Sequence, residues 1–208
     1  MRLNSVQKNT RWKAYVGNVT GTLTLDDAQD NTIYSWSLTS ISGEVYASRS
    51  SGIINWTGIN CTWIADIINI SNRSNSNRSP EYIENVQLAH TGRDDNISRT
   101  FNALNHSAIT VGSRIIGEDE CFTIQTYQKD SAQVFDDSDN ANFTEIILYD
   151  GVFNESETNV IYATFISTFT NISTFNSEGV YNFQMILPES GNVSFTSSTP
   201  YYFYVELT

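Results

Sequence analysis

The sequence predicts an all-β fold, an antiparallel β-sandwich of the Ig-like or jelly-roll-like kind with one or two short helices and glycosylated loops. Three observations predict it. Short runs alternating apolar with polar residues recur along most of the chain, and clusters of Asp, Asn, Ser and Gly separate them. The apolar material is rich in rings, with 4 Trp, 11 Tyr and 11 Phe. A period of two puts successive side chains on opposite faces of a strand, and aromatic and β-branched residues suit that pleated surface. Several such strands punctuated by turns fit a sandwich.

In chain order, residues 1–11 (MRLNSVQKNTR) form a polar N-terminal segment, expected to serve as an inter-subunit strand. Residues 12–208 suit a single sandwich domain, since 208 residues can bury one core. Thr22-Leu23-Thr24-Leu25 alternates strictly, Asp26 to Asn31 is turn-rich, and Tyr34, Trp36 and Leu38 share one face of the returning strand: a β-hairpin. Residues 44–47 and 53–64 are the next expected strands, and 69–79 is a polar, exposed loop. Ser79-Pro80-Glu81 supplies an N-cap, a first-turn Pro and an acid, which predicts a helix with Ile83, Val86 and His90 on one face and Gly92 closing it. A second helical turn is expected over 99–104.

Beyond it, 108–116 and 122–127 are expected strands. Residues 144–149 and 160–166 are continuous apolar or β-branched runs, the pattern of strands covered on both faces. Tyr181, Phe183, Met185 and Leu187 alternate with more polar residues until Pro188 ends the strand. Tyr201, Phe203, Val205 and Leu207 give the last strand a full apolar face, expected to lie in the core of its own subunit.

Composition excludes several functions. The net charge is -12, from 23 acidic against 11 basic residues, so the phosphates of nucleic acid and an anionic membrane would both be repelled. No stretch approaches eighteen uncharged apolar residues, so no transmembrane segment is expected. The N-terminal residues also lack the apolar core of a secretion signal, so for a secreted protein a leader that was removed, or that lies outside this chain, is the expectation.

Secretion is expected because twelve of the chain's 22 Asn begin an Asn-x-Ser/Thr sequon: Asn18, Asn55, Asn60, Asn69, Asn72, Asn77, Asn96, Asn105, Asn142, Asn154, Asn171 and Asn192. With 47 Ser and Thr in the chain, chance alone would give roughly five. N-linked glycans on surface loops follow as the expectation. Asn77 is the weakest acceptor, because Pro80 follows its Ser79. The two cysteines, Cys61 and Cys121, lack CxxC spacing and basic or His-rich surroundings, so a structural disulfide in an oxidising compartment is expected.

Catalytic patterns are scarce. His90 and His106 are the only histidines, no nucleophile elbow marks a serine, and the spacing of the acids selects no pair. No enzymatic activity, cofactor or metal is expected. Asp136-Asp137-Ser138-Asp139-Asn140 could offer oxygen ligands to calcium but lacks the Gly and distal Glu of an EF-hand, and a solvated loop is the favoured reading, as for Asp26, Asp27 and Asp30. Trp12, Trp36, Trp56 and Trp63 could build a sugar-stacking platform, yet core filling is the expected use of rings in such strands.

Trp12-Lys13-Ala14-Tyr15-Val16-Gly17-Asn18-Val19-Thr20-Gly21, Tyr34 with Trp36, Gly43-Glu44-Val45-Tyr46-Ala47, Leu148-Tyr149-Asp150-Gly151 and Thr199-Pro200-Tyr201-Tyr202-Phe203-Tyr204-Val205-Glu206 resemble a group of secreted archaeal cell-surface proteins. The resemblance spans nearly the whole chain and implies a cell-surface location, with no ligand or catalytic residue to carry over. The expected function is that of an extracellular structural glycoprotein, a homopolymeric subunit of a filament or surface layer. The alternative is an adhesin or carbohydrate-binding surface module.

Overall fold

The computed structural model describes residues 2–6, 12–37, 41–49, 54–61, 97–126, 143–150, 159–167, 181–188 and 200–208. They build a nearly all-β molecule with antiparallel pairing throughout, consistent with a sandwich. The smaller sheet has three strands in the order β1 (Arg2–Val6), β2 (Trp12–Asn18), β12 (Phe183–Pro188). The larger has six: β13 (Tyr202–Leu207), β5 (Gly43–Ser48), β11 (Val160–Phe165), β10 (Phe143–Tyr149) and β6 (Asn60–Cys61), with β9 (Thr123–Thr126) also bonded to β10. Two hairpins stand as sheets of their own, β3 (Thr22–Asp26) with β4 (Thr32–Ser37) and β7 (Ile109–Val111) with β8 (Arg114–Ile116). A four-residue helix, α1 (Ile97–Thr100), precedes β7.

The larger sheet is covered on both faces. Between the sheets, Ala47, Ile147 and Tyr162 meet Trp12, Val16, Met185 and Ile186. On the far face, Tyr46, Ile146, Leu148 and Ile161 are covered by Ile54, Ile59, both cysteines and the β7–β8 residues Ile109, Val111 and Ile116. Consecutive residues of one strand therefore enter different cores, and the unbroken apolar runs of β10 and β11 are buried on both sides as expected. β12 is buried along its whole length too, so Gln184 and Ile186 are as enclosed as Phe183, Met185 and Leu187.

Several expected elements are corrected. Over 53–64 the described residues contain a 3₁₀ turn, Trp56–Gly58, and only the two-residue β6. The chain turns because the Gly58 N–H donates to the Asn55 carbonyl at 2.9 Å, and Gly58 lies where a Cβ would come within 2.6 Å of the Asp150 carbonyl oxygen. Residues 108–116 form a hairpin, not one strand, since Gly112 takes φ +60 between β7 and β8. The helical turn expected at 99–104 lies earlier, at Ile97–Thr100, and Ala103 instead bridges Thr123. Among the described strands the last is an edge of the larger sheet; Tyr201 and Phe203 pack against the core as expected, while Val205 and Leu207 are exposed. The helix expected after Ser79, with His90, and the loop over 69–79 lie outside the described residues.

At the other sheet's edge, β1 pairs with β2 from Arg2↔Asn18 to Val6↔Ala14. The N-terminal segment thus adds a strand to its own domain. Gly43 permits the close contact of β5 with β13: its φ is +134, and a Cβ there would collide with the Glu206 carbonyl oxygen.

Candidate functional site

The β3–β4 ribbon is the most exposed part of the described molecule. Every residue of β4 is exposed. In the register Leu25 stands opposite Tyr34 and Leu23 opposite Trp36, while Thr24 faces Ser35 and Thr22 faces Ser37. Strand pleating therefore puts Leu25, Tyr34 and Trp36 on one face and Thr24, Ser35 and Ser37 on the other, while Ile33, 65% exposed, sits at the register shift beside Leu25 and Asp26. Leu25 is 54%, Tyr34 62% and Trp36 43% exposed, and the two rings lie side by side with centroids 5.6 Å apart and planes 35° apart. The expectation that the tryptophans fill core holds for buried Trp12 and fails for Trp36. Trp56 is half-buried between Tyr46 and Tyr204, with centroids 5.4 and 5.2 Å away, and Trp63 lies outside the described residues.

The turn of the ribbon is organised by Asp27. Its Oδ1 accepts from the backbone N–H of Gln29 and of Asn31, both at 2.9 Å, and its Oδ2 accepts from the Asn31 amide at 3.0 Å. The Asn31 side chain, followed by the Asn31 and Gln29 backbone N–H groups, holds the Asp27 carboxyl below its usual range. Both oxygens are thus committed to the turn, in which Asp30 takes φ 62. Among the described residues no group of three His, Cys, Asp or Glu is placed to hold a metal ion. The acidic run from Asp136 to Asn140 lies outside them.

One carboxylate pair is brought together that no sequence spacing revealed. Glu44 of β5 and Glu206 of β13 stand directly opposite each other. Glu206 accepts from the Tyr46 hydroxyl at 3.2 Å and from the Gly112 N–H at 2.8 Å, so it ties β13 to β5 and to the β7–β8 turn. Glu44 is only 6% exposed and its Oε2 has no hydrogen-bond partner. Burial first, then the neighbouring Glu206 charge, raises its pKa to about 7. A second acid, Glu145, lies wholly inside the sandwich: Oε2 accepts from the Ile186 N–H at 2.7 Å, and Oε1 has no partner. Burial pushes its pKa well above the usual carboxylate range, against the lowering effect of the Ile186 hydrogen bond.

The disulfide forms as expected between Cys61 and Cys121, with Cα atoms 4.9 Å apart. It joins β6 to the segment leading into β9, two pieces that lie along the same side of β10. His106 is buried beside it. Its Nε2 accepts from the Cys121 N–H at 2.8 Å, which leaves the ring proton on Nδ1 to donate to the Ser107 carbonyl at 2.7 Å.

Four sequons fall on described residues. Asn55 and Asn105 are exposed in non-strand segments, while Asn18 and Asn60 are half-buried within strands β2 and β6. At the first, the Thr57 hydroxyl of the same sequon donates to the Asn55 Oδ1 at 2.8 Å. Asn18 uses its Oδ1 to accept from the Asn182 N–H at 3.0 Å. Asn69, Asn72, Asn77, Asn96, Asn142, Asn154, Asn171 and Asn192 lie outside the described residues. No helix among the described residues is long and apolar enough to cross a membrane.

No protein-family model matches the chain, and no curated protein or solved structure matches it either. Function has therefore to be argued from these surfaces. The Glu44–Glu206 pair and the bare rings at Tyr34 and Trp36 are what sequence reasoning missed. The first depends on a pairing between distant strands, and the second on no described segment packing over the ribbon.

Proposed function

We propose that this chain is an extracellular structural glycoprotein without catalytic activity, a subunit of a cell-surface filament or layer joined through β-strand contacts. The observation that carries the reading is the outer side of β13. Among the described strands it pairs only with β5, and it leaves Val205 and Leu207 exposed. An open edge presents backbone donors and acceptors that another chain's strand can satisfy while seating alternate side chains. Residues 1–11 are the preferred donor, because β1 already behaves as an added strand at the edge of β2.

The disulfide favours an oxidising compartment. The twelve sequons and the resemblance to archaeal surface proteins favour the outside of a cell. Glycan density would also supply the solubility that a chain with 16% charged residues otherwise lacks. Glycopeptide analysis of protein from its native source tests the glycoprotein reading. Most of the twelve sites should be occupied; three or fewer would contradict it. The adhesin or carbohydrate-binding reading is the second one, favoured by the exposed ring pair.

A further inference from the structure

We propose that the apolar face of the β3–β4 ribbon is a binding platform for a neutral oligosaccharide, with Tyr34 and Trp36 as its stacking rings. The site adds a ligand to the structural reading and does not depend on subunit assembly. Tyr34 and Trp36 are two residues apart on one strand, so both project from the same face. Their centroid separation of 5.6 Å and inclination of 35° make a shallow continuous surface rather than one closed ring stack. Pyranose rings present patches of polarised C–H groups that match the negative face of an aromatic ring. Two adjoining rings suit at least two successive sugars of an extended chain.

Among the described residues no hydrophobic cluster takes in Tyr34 or Trp36. A two-stranded ribbon whose apolar residues stay exposed gains little stability from them, and contiguous bare apolar surface marks a site of interaction. The tip is held by the Asp27 hydrogen bonds, so the platform is ordered before anything binds. Charge selects the occupant. No Lys or Arg occurs between Lys13 and Arg49, while Asp26, Asp27 and Asp30 line the turn. An acidic glycan would be repelled, and a second copy seated face to face here would bring the same turn acids against these. A neutral polyol meets neither penalty.

The test is calorimetric titration of the full-length, disulfide-bonded chain with three neutral probes, maltohexaose, cellohexaose and mannohexaose, and with hexagalacturonate as the acidic comparison. At least one neutral probe should bind and the acidic one should not. Trp36→Ala and Tyr34→Ala should each weaken binding about tenfold or more, the contact of one ring. Trp36→Phe should retain most of it, with the urea midpoint unchanged in all three variants. The proposal is overturned if no neutral probe binds, or if the Ala variants bind as the parent does. It is equally overturned if Trp36→Ala leaves sugar binding intact but disperses oligomers, which would make the face a contact between copies. Fibres that survive Trp36→Ala leave the assembly reading standing whichever way the sugar titration falls.

Discussion

β5 and β4 are both six-residue strands carrying aromatic side chains, yet every residue of β5 is buried and every residue of β4 is exposed. The difference lies in what surrounds them. β5 runs between β13 and β11, with the β2–β12 core beneath Val45 and Ala47 and the disulfide-linked layer over Tyr46. Among the described strands β4 has only β3 beside it. Alternation and β-propensity are enough to make a strand, but burial is conferred by distant segments. Among the described residues none covers the apolar face of β4, the face on which the proposed sugar platform rests.

Replacing the same residue type in the two strands should separate the two roles. Tyr46→Ala removes a ring packed against Trp56 and a hydroxyl that serves Glu206. It should cost about 3–5 kcal/mol in urea unfolding. Tyr34→Ala should stay within about 0.5 kcal/mol of the parent. Comparable losses at both positions would mean that the ribbon is part of the folding core. The staple on the covered side gives the next effect. Cys61→Ala opens a loop spanning 60 positions, worth up to about 4 kcal/mol by the chain-entropy model, whereas no cross-link restrains the ribbon. Quantitative alkylation of both cysteines in denatured, unreduced native protein would contradict the bond itself.

A smaller effect is pH-dependent. The folded-state pKa of Glu44 is raised from 4.5 to about 7. Its contribution is therefore complete below the unfolded value and is lost as pH rises through about 7. The protein should be more stable near pH 5 than near pH 8 by roughly 2–3 kcal/mol from this residue at most. Glu44→Gln should flatten that slope, and Glu145, also raised, should leave a residual one in the same direction. A slope of opposite sign, or one unchanged by Glu44→Gln, would refute the assignment. The ribbon's Asp27, held below the usual range by its Asn31 and Gln29 hydrogen bonds, acts in the opposite sense: its contribution is lost only as pH falls below the ordinary carboxylate range, so it leaves the slope between pH 5 and pH 8 untouched.

Much of this architecture was legible before any coordinates. Strict alternation marked β3 and β4, unbroken Ile, Leu, Val and Tyr runs marked β10 and β11 as doubly covered, and an isolated Cys pair marked the staple. Turns hidden inside apolar stretches were not legible. Gly112 splits 108–116 into a hairpin, and the close packing of Gly58 on Asp150 makes a 3₁₀ turn of a stretch rich in strand formers. The apolar face of β13 reads as core by pattern alone, but its place at the sheet edge leaves Val205 and Leu207 bare. Candidate-site residues were legible by type and not by partnership. Trp36 was visible as a ring, but its exposure depends on which segments fail to cover it. Glu44 and Glu206 meet only through the β5–β13 register.

Assembly through strand edges is the central claim, and negative-stain electron microscopy of surface material shed by the native source tests it most directly. The account predicts regular fibres or a lattice containing this chain, lost when residues 1–10 are deleted. Dispersed monomers from the intact chain, or fibres unchanged by the deletion, would contradict assembly by donation of that strand.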